Sequence, residues 1–346
     1  ASAAADDFRA HDAIALARAG TAAIESGRFG DALEAFSKAT KVRPRDASLC
    51  FGAGVAAFML GQDEVAQARF ECALSRNPNL LEAAVWLGEV HYRTGHLADA
   101  ISVYEAARYH PAWTNDLQQK LERWCKEQAL QSRFHEAHTT HFMALFESAA
   151  DEPIAGDVLD RLEAAYRRIG SVLGAYPSRP IAVVLYTRDQ FEAITRLAGW
   201  SVAAYDGRIR LPLGDGLERP GELDRVLSHE YVHALVTTLG GRTVPAWMSE
   251  GLATVLEPAT TAEEATPPAD SLMSLTKLER GFIDLSMRDA EIAYEAGARA
   301  VKNLIDRRGM PALVALLEDL ARGEPFPRAF HQRLAMRYEE FAQARR

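Results

Sequence analysis

Along the first third of the chain, small, aromatic and apolar residues recur with a period of 34. Gly20, Gly54 and Gly88 share that spacing, as do Gly27, Gly61 and Gly95. Ala32, Ala66 and Ala100 follow in phase, then Phe36, Phe70 and Tyr104, then Ala39, Ala73 and Ala107. Pro44 and Pro78 close two units, and Pro111 closes the third one residue early. Each unit reads as two amphipathic helices, with small residues where the helices cross and an aromatic side chain filling the gap. A unit of this length cannot bury its apolar face alone, so the core must form between stacked neighbours. Three units span about 13–114, and a further amphipathic helix carrying Leu117, Leu121 and Trp124 caps the stack.

Past about residue 132 the pattern becomes mixed. His141–Phe146 and, most clearly, Pro180–Tyr186 read as strands, with a helix over about 154–173 between them. A short helix over 189–197 leads to a strand at 203–213, within which Asp206-Gly207 offers a tight turn as the alternative. Val226, Leu227, Tyr231, Ala234 and Leu235 place an apolar face on a helix from about 221 to 239. Gly240-Gly241 ends it, and Pro245 opens the next helix, where its missing N–H is no loss. Pro258–Asp270 is rich in Pro, Thr, Ala and acidic residues and reads as a loop, either a surface connection or a cover for a cleft. The remainder reads as helices at about 271–280, 288–308, 311–322 and 326–344. The expected fold class is therefore α+β and mostly helical, with domains over 1–131 and 132–346.

The helix at 221–239 carries the chemistry. His229-Glu230-Tyr231-Val232-His233 puts two imidazoles one turn apart on one face, a spacing that can hold a single zinc ion, with Glu230 beside the first to handle a water. The longer zinc motif needs a third histidine at 239, and this chain has Leu239. No His, Asp, Glu or Cys lies between Ala234 and Ser249. Glu250 is thus the nearest third ligand, and Glu257, two turns further along the same expected helix, is its substitute. If the two helices run back against each other, Glu250 faces the histidines and a fourth position is left for water.

These segments resemble known families. The 34-residue unit is similar to the tetratricopeptide repeat (TPR), whose stacks form an α-solenoid with a concave groove. That resemblance implies a protein partner held in the groove, or else repeats that only brace the rest of the chain. HEYVHALV followed by PAWMSEGLATVLE resembles the peptidase MA-like, or gluzincin, branch of the thermolysin-like metalloproteases. It implies His229, His233 and Glu250 as ligands of Zn2+, Glu230 as general base, and a peptide or protein substrate. It also implies a small sheet with a helical C-terminal part, covering about 134 to the C-terminus. Members of that branch often carry a downstream Tyr or His that stabilises the oxyanion, and Tyr294 is the candidate, with plain packing as the other reading. By the same analogy, an edge strand at 208–213 would take an extended substrate by strand addition. The function so implied is a zinc peptidase whose TPR region recruits substrate or partner. The alternatives are a non-catalytic TPR binding module with a structural or decayed zinc domain, and a protease that its own groove or 258–270 loop holds inhibited.

Composition narrows the partners. The formal net charge of −9, without a clustered basic face, argues against a nucleic-acid surface. No apolar run approaches the length of a membrane span. Cys50, Cys72 and Cys125 are odd in number and lack metal-pair spacing, so they read as small buried hydrophobes. The opening Ala1-Ser2-Ala3-Ala4-Ala5-Asp6 fits either the tail left by signal-peptide removal or an artificial boundary. With the peptidase resemblance it suggests a bacterial extracytoplasmic setting, a cytoplasmic one being the alternative.

Overall fold

The computed structural model describes residues 2–195, 203–214, 221–258, 273–279, 281–282 and 285–343. The chain divides into two compact units. One comprises residues 1–128 with the short segments 240–243 and 319–328; the other comprises 129–239, 244–318 and 329–346.

The first unit is built from helix pairs: α1 (Ser2–Glu25) with α2 (Phe29–Val42), α3 (Ala47–Met59) with α4 (Asp63–Arg76), and α5 (Leu81–Arg93) with α6 (Leu97–Ala107). The periodic residues do the pairing. Gly20, Gly54 and Gly88 lie against the rings of Phe36, Phe70 and Tyr104; a Cβ on Gly54 would sit 2.6 Å from the Phe70 ring, so only glycine admits it. Gly27, Gly61 and Gly95 occupy the turns within each pair, all with φ between +69° and +87°, a conformation that L side chains disfavour. Ala32, Ala66 and Ala100 are wholly buried. The last helix, α7 (Asn115–Gln131), places Leu121 and Trp124 against Leu97, Ile101 and Tyr104, as expected of a cap. Segment 240–243 belongs to this unit through Arg242. Its N–H donates to Met59 O at 2.9 Å, its guanidinium bonds Asp63 at 2.8 Å, and its charge lies 4.1 Å over the Phe58 ring.

One cysteine expectation is corrected here. Cys50 on α3 and Cys72 on α4 are not separate hydrophobes but are joined as a disulfide, their Cα atoms 6.0 Å apart. The helix pairing brings together residues 22 apart in sequence, which spacing alone could not foresee. Cys125 is free and half-buried.

The second unit contains a five-stranded sheet in the order β1-β2-β3-β5-β4. The strands are β1 (His135–His138), β2 (Phe142–Phe146), β3 (Ile181–Tyr186), β4 (Ala204–Tyr205) and β5 (Ile209–Pro212). β2, β3 and β5 run parallel in the centre, and β1 and β4 pair antiparallel at the two edges. Parallel neighbours need crossovers. α8 (Glu152–Leu173) links β2 to β3, burying Val158, Leu159, Leu162, Ala165, Ile169 and Leu173 along one face. α9 (Arg188–Thr195) follows β3; the last two residues expected in this helix, 196 and 197, lie outside the described residues.

Segment 203–213 proves to be strand and turn at once. Gly207, at φ 106°, folds β4 back on β5, with Tyr205 opposite Ile209. This overturns the edge-strand expectation for 208–213: β5 is flanked by β3 on one side and, at Ile209–Arg210, by β4 on the other. At Ile209 and Arg210 the outer side of its backbone is already taken by β4.

Helices complete this part of the chain: α10 (Glu222–Gly240), α11 (Ala246–Val255), α12 (Met287–Arg308), α13 (Met310–Ala321), α14 (Phe326–Leu334) and α15 (Tyr338–Gln343). Within 271–280 the described residues hold one 3-10 turn, Leu275–Leu278, instead of the expected helix. The single helix expected over 326–344 is broken at Ala335, whose φ of 53° ends α14. The break lets Tyr338 turn inward, where its hydroxyl donates to Glu279 at 2.7 Å and accepts from Trp247 Nε1 at 3.2 Å. The expected 258–270 loop lies outside the described residues from 259 onward.

Candidate metal centre

α10 is buried over much of its circumference, with Val226, Leu227, Tyr231, Val232, Ala234, Leu235 and Val236 all at most 3% exposed. Two arginines of α8 anchor it: Arg161 bonds Asp224 at 2.6 Å, and Arg168 bonds Ser228 Oγ at 2.9 Å. The second guanidinium nitrogen of Arg168 donates to Leu256 O at 2.7 Å, tying the end of α11 to the same point. His229 and His233 project from one face of this rigid helix, ring centroids 4.9 Å apart.

α11 returns along α10 after the glycine turn. Trp247, Met248, Leu252 and Ala253 are wholly buried and seat it, which leaves Glu250 directed at the histidines. Glu250 Oε2 stands 3.3 Å from His229 Nε2 and 3.3 Å from His233 Nε2. One ligand atom from each of the three residues falls within a 4.8 Å span. Two imidazole nitrogens and a carboxylate oxygen suit zinc. A tetrahedral ion with bonds of roughly 2.0–2.1 Å spaces its ligand atoms about 3.4 Å apart, which the two 3.3 Å separations match. The donor set therefore fits the ion.

The opposite ring nitrogens are also held. His229 Nδ1 meets Glu257 Oε1 at 2.8 Å, and His233 Nδ1 meets Ser249 Oγ at 2.9 Å. Glu257 is not on α11, which ends at Val255, but in the turn beyond it. Contact with the far nitrogen of His229 rules it out as a stand-in for Glu250, correcting the substitute-ligand expectation. Arg225 grips Glu222 at 2.6 Å and 3.0 Å and reaches Glu257 at 3.3 Å. Neither the Ser249 contact nor the Arg225 contact was visible in the motif, since each depends on which way a turn points its side chain.

Burial pushes the Glu230 carboxyl above its ordinary range, against the pull of His233 and His229. Burial would raise Glu250 too, but the His233 charge and hydrogen bonds from both imidazoles hold it well below the usual carboxylate range. Burial alone would lower His229; its bonds to Glu250 and Glu257 outweigh that and push it up to about 10.

Tyr294, on α12, stands beside this cluster, its ring 5.9 Å from that of His229 in an edge-on arrangement. Burial raises its phenol, and the Glu250, Glu230 and Glu257 carboxylates raise it further. α12 comes this close because glycine faces glycine. Gly251 lies against Gly297 O, and a Cβ on Gly297 would stand 2.7 Å from Trp247 O. The structure therefore brings His229, Glu230, His233, Glu250 and Tyr294 into one cluster.

The tetratricopeptide repeat family matches residues 17–66 and 64–116, so the N-terminal region is made of TPR units. Among solved structures, the first TPR of Spaghetti (RPAP3), bound to the HSP90 peptide SRMEEVD, is 19% identical. It matches over 35% of this chain and 98% of its own length, with a TM-score of 0.33. Comparison with curated proteins returns no match.

Proposed function

We propose that this chain is a zinc-dependent peptidase whose TPR region recruits a protein substrate or partner. The observation that carries this reading is the convergence of His229 Nε2 and His233 Nε2 on Glu250 Oε2, at 3.3 Å each, with buried Glu230 between the two histidines in sequence. His229, His233 and Glu250 would hold the ion. The chemistry that zinc supplies in such a setting is Lewis acidity toward a water and a scissile carbonyl.

The remaining work falls to the chain's own residues. Glu230, its basicity raised by burial, takes a proton from the attacking water and returns it to the leaving amine, acting first as base and then as acid. Tyr294, whose ring lies beside that of His229, would donate its hydroxyl hydrogen to the oxygen that gains charge when the carbonyl is attacked.

The test is a pair of measurements on purified full-length protein. Wild type should cleave members of a diverse peptide library, and a chelator should stop it. Glu230→Gln should retain zinc by elemental analysis yet lose hydrolysis by orders of magnitude. A Glu230→Gln variant that cleaves normally, or zinc-loaded wild type that cleaves nothing, would sink the peptidase reading.

A further inference from the structure

We infer that Arg242 is a positioning residue for the metal centre: it fixes the link between α10 and α11, and so the return that brings Glu250 to the two histidines. The inference rests on the zinc reading above and deepens it, by making the centre depend on residues of the helical repeats. α10 ends at Gly240 and α11 begins at Ala246, so residues 241–245 set where the return begins. α11 is only ten residues long, and Glu250 lies little more than one turn into it. A shift at its start is therefore carried to the carboxylate, whose Oε2 must stand 3.3 Å from both Nε2 atoms.

The turn between α3 and α4 is built to receive this arginine. The last carbonyls of a helix lack partners within it, and its C-terminal end favours a cation. Arg242 meets both needs at the end of α3. Its backbone N–H donates to Met59 O at 2.9 Å, and one guanidinium nitrogen donates to Phe58 O at 2.8 Å. The other nitrogen donates to Asp63 Oδ2, in the first turn of α4, at 2.9 Å, while the charge lies 4.1 Å over the Phe58 ring. Only a planar fork reaches a carbonyl and a carboxylate at once; a lysine ammonium is a single point. The side chain is 14% exposed, so water competes little for these bonds. Gly241 adds a contact of shape: at φ 67°, it lies so close that a Cβ would stand 2.8 Å from the Leu60 carbonyl. At the other end of the link, Ala246 N–H donates to Glu279 O at 3.1 Å. The start of α11 is thus pinned on both sides, and Arg242 supplies most of one of them.

The experiment makes two measurements on the full-length protein: zinc affinity, by titration against a chromophoric chelator, and amide hydrogen exchange with and without zinc. Arg242→Ala should weaken zinc binding on the order of ten-fold. Arg242→Lys keeps the charge but not the fork, so its affinity should fall between that of Arg242→Ala and wild type. Leu121→Ala, in the cap of the repeats, is the control; it should lower the melting temperature and leave the zinc affinity of the folded protein unchanged. Coupling is reciprocal, so zinc should slow exchange of the Arg242 amide in wild type, and more than that of Gly95 in the turn between α5 and α6. A purely structural Arg242 would behave as Leu121 does. Folded Arg242→Ala that binds zinc as tightly as wild type overturns the inference and leaves the zinc reading standing. Should Arg242→Ala not fold, exchange in wild type decides, and an Arg242 amide that zinc protects no more than Gly95 overturns the inference. Wild type that binds no zinc overturns the zinc reading, and this inference with it.

Discussion

Glu250 lies between two imidazoles, and its neighbours divide into groups that would bind an ion and groups that would act on substrate. His233→Ala removes a proposed ligand and leaves Glu250 one partner short; on the zinc reading, zinc content by atomic absorption should fall to background. Tyr294→Phe removes a hydroxyl but keeps the ring that packs on His229 and Phe282. Turnover should drop by about 100-fold while zinc content stays at the wild-type level. If turnover is unchanged, Tyr294 is only a packing residue. At this scale the sequence was informative about residue types and silent about direction. Four-residue spacing placed His229 and His233 together, because the helix period alone does so. It did not say which ring nitrogen each would present, nor that Glu257 would approach from the far side.

Among the elements, the approach of α11 to α12 is the most exposed to substitution. Gly297 has no room for a side chain, since a Cβ would meet Trp247 O at 2.7 Å. Gly297→Val should therefore push α12 outward, destabilise the protein by about 1–3 kcal/mol and carry Tyr294 away from His229. Thermal melting and turnover, measured together, check both effects. In the repeat unit, His91 on α5 is 7% exposed, and burial holds its imidazole below the ordinary value of 6.5. Asp99 and Glu71 oppose that shift, and His96 adds to it. A histidine with a lowered folded value binds its proton more readily in the unfolded chain, so its contribution to stability is lost as pH falls through about 6.5. Urea titrations from pH 7.5 to 5.5 should show that decline, and His91→Gln should flatten it. Helices were legible where a face repeats, as in α8 or the 34-residue pairs. The turn at Asp206-Gly207 was one of two readings the sequence left open, whereas the break at Ala335 was not legible, since it depends on one residue at positive φ and on the tertiary contacts that reward it.

For the whole molecule, the zinc reading makes metal a folding ligand. An ion that binds only the folded chain stabilises it by about 2.7 kcal/mol at one hundred times its dissociation constant. Calorimetry should show the melting temperature rise with added zinc and fall with chelator, and Glu250→Ala should abolish the response. Among the described residues no helix is long and apolar enough to cross a membrane. The sequence by itself determined the repeat unit, because a 34-residue period forces each helix pair to bury the same small and aromatic positions against its neighbour. It also determined which residues share one face of α10. Tertiary structure alone decided that Glu250 closes on both imidazoles, that Glu257 and Ser249 hold their outer nitrogens, that Cys50 meets Cys72, and that β5 is an inner strand. The reason is range. A helical period acts over three or four residues and is written in the spacing, whereas these contacts depend on how turns and packed faces orient segments far apart in the chain.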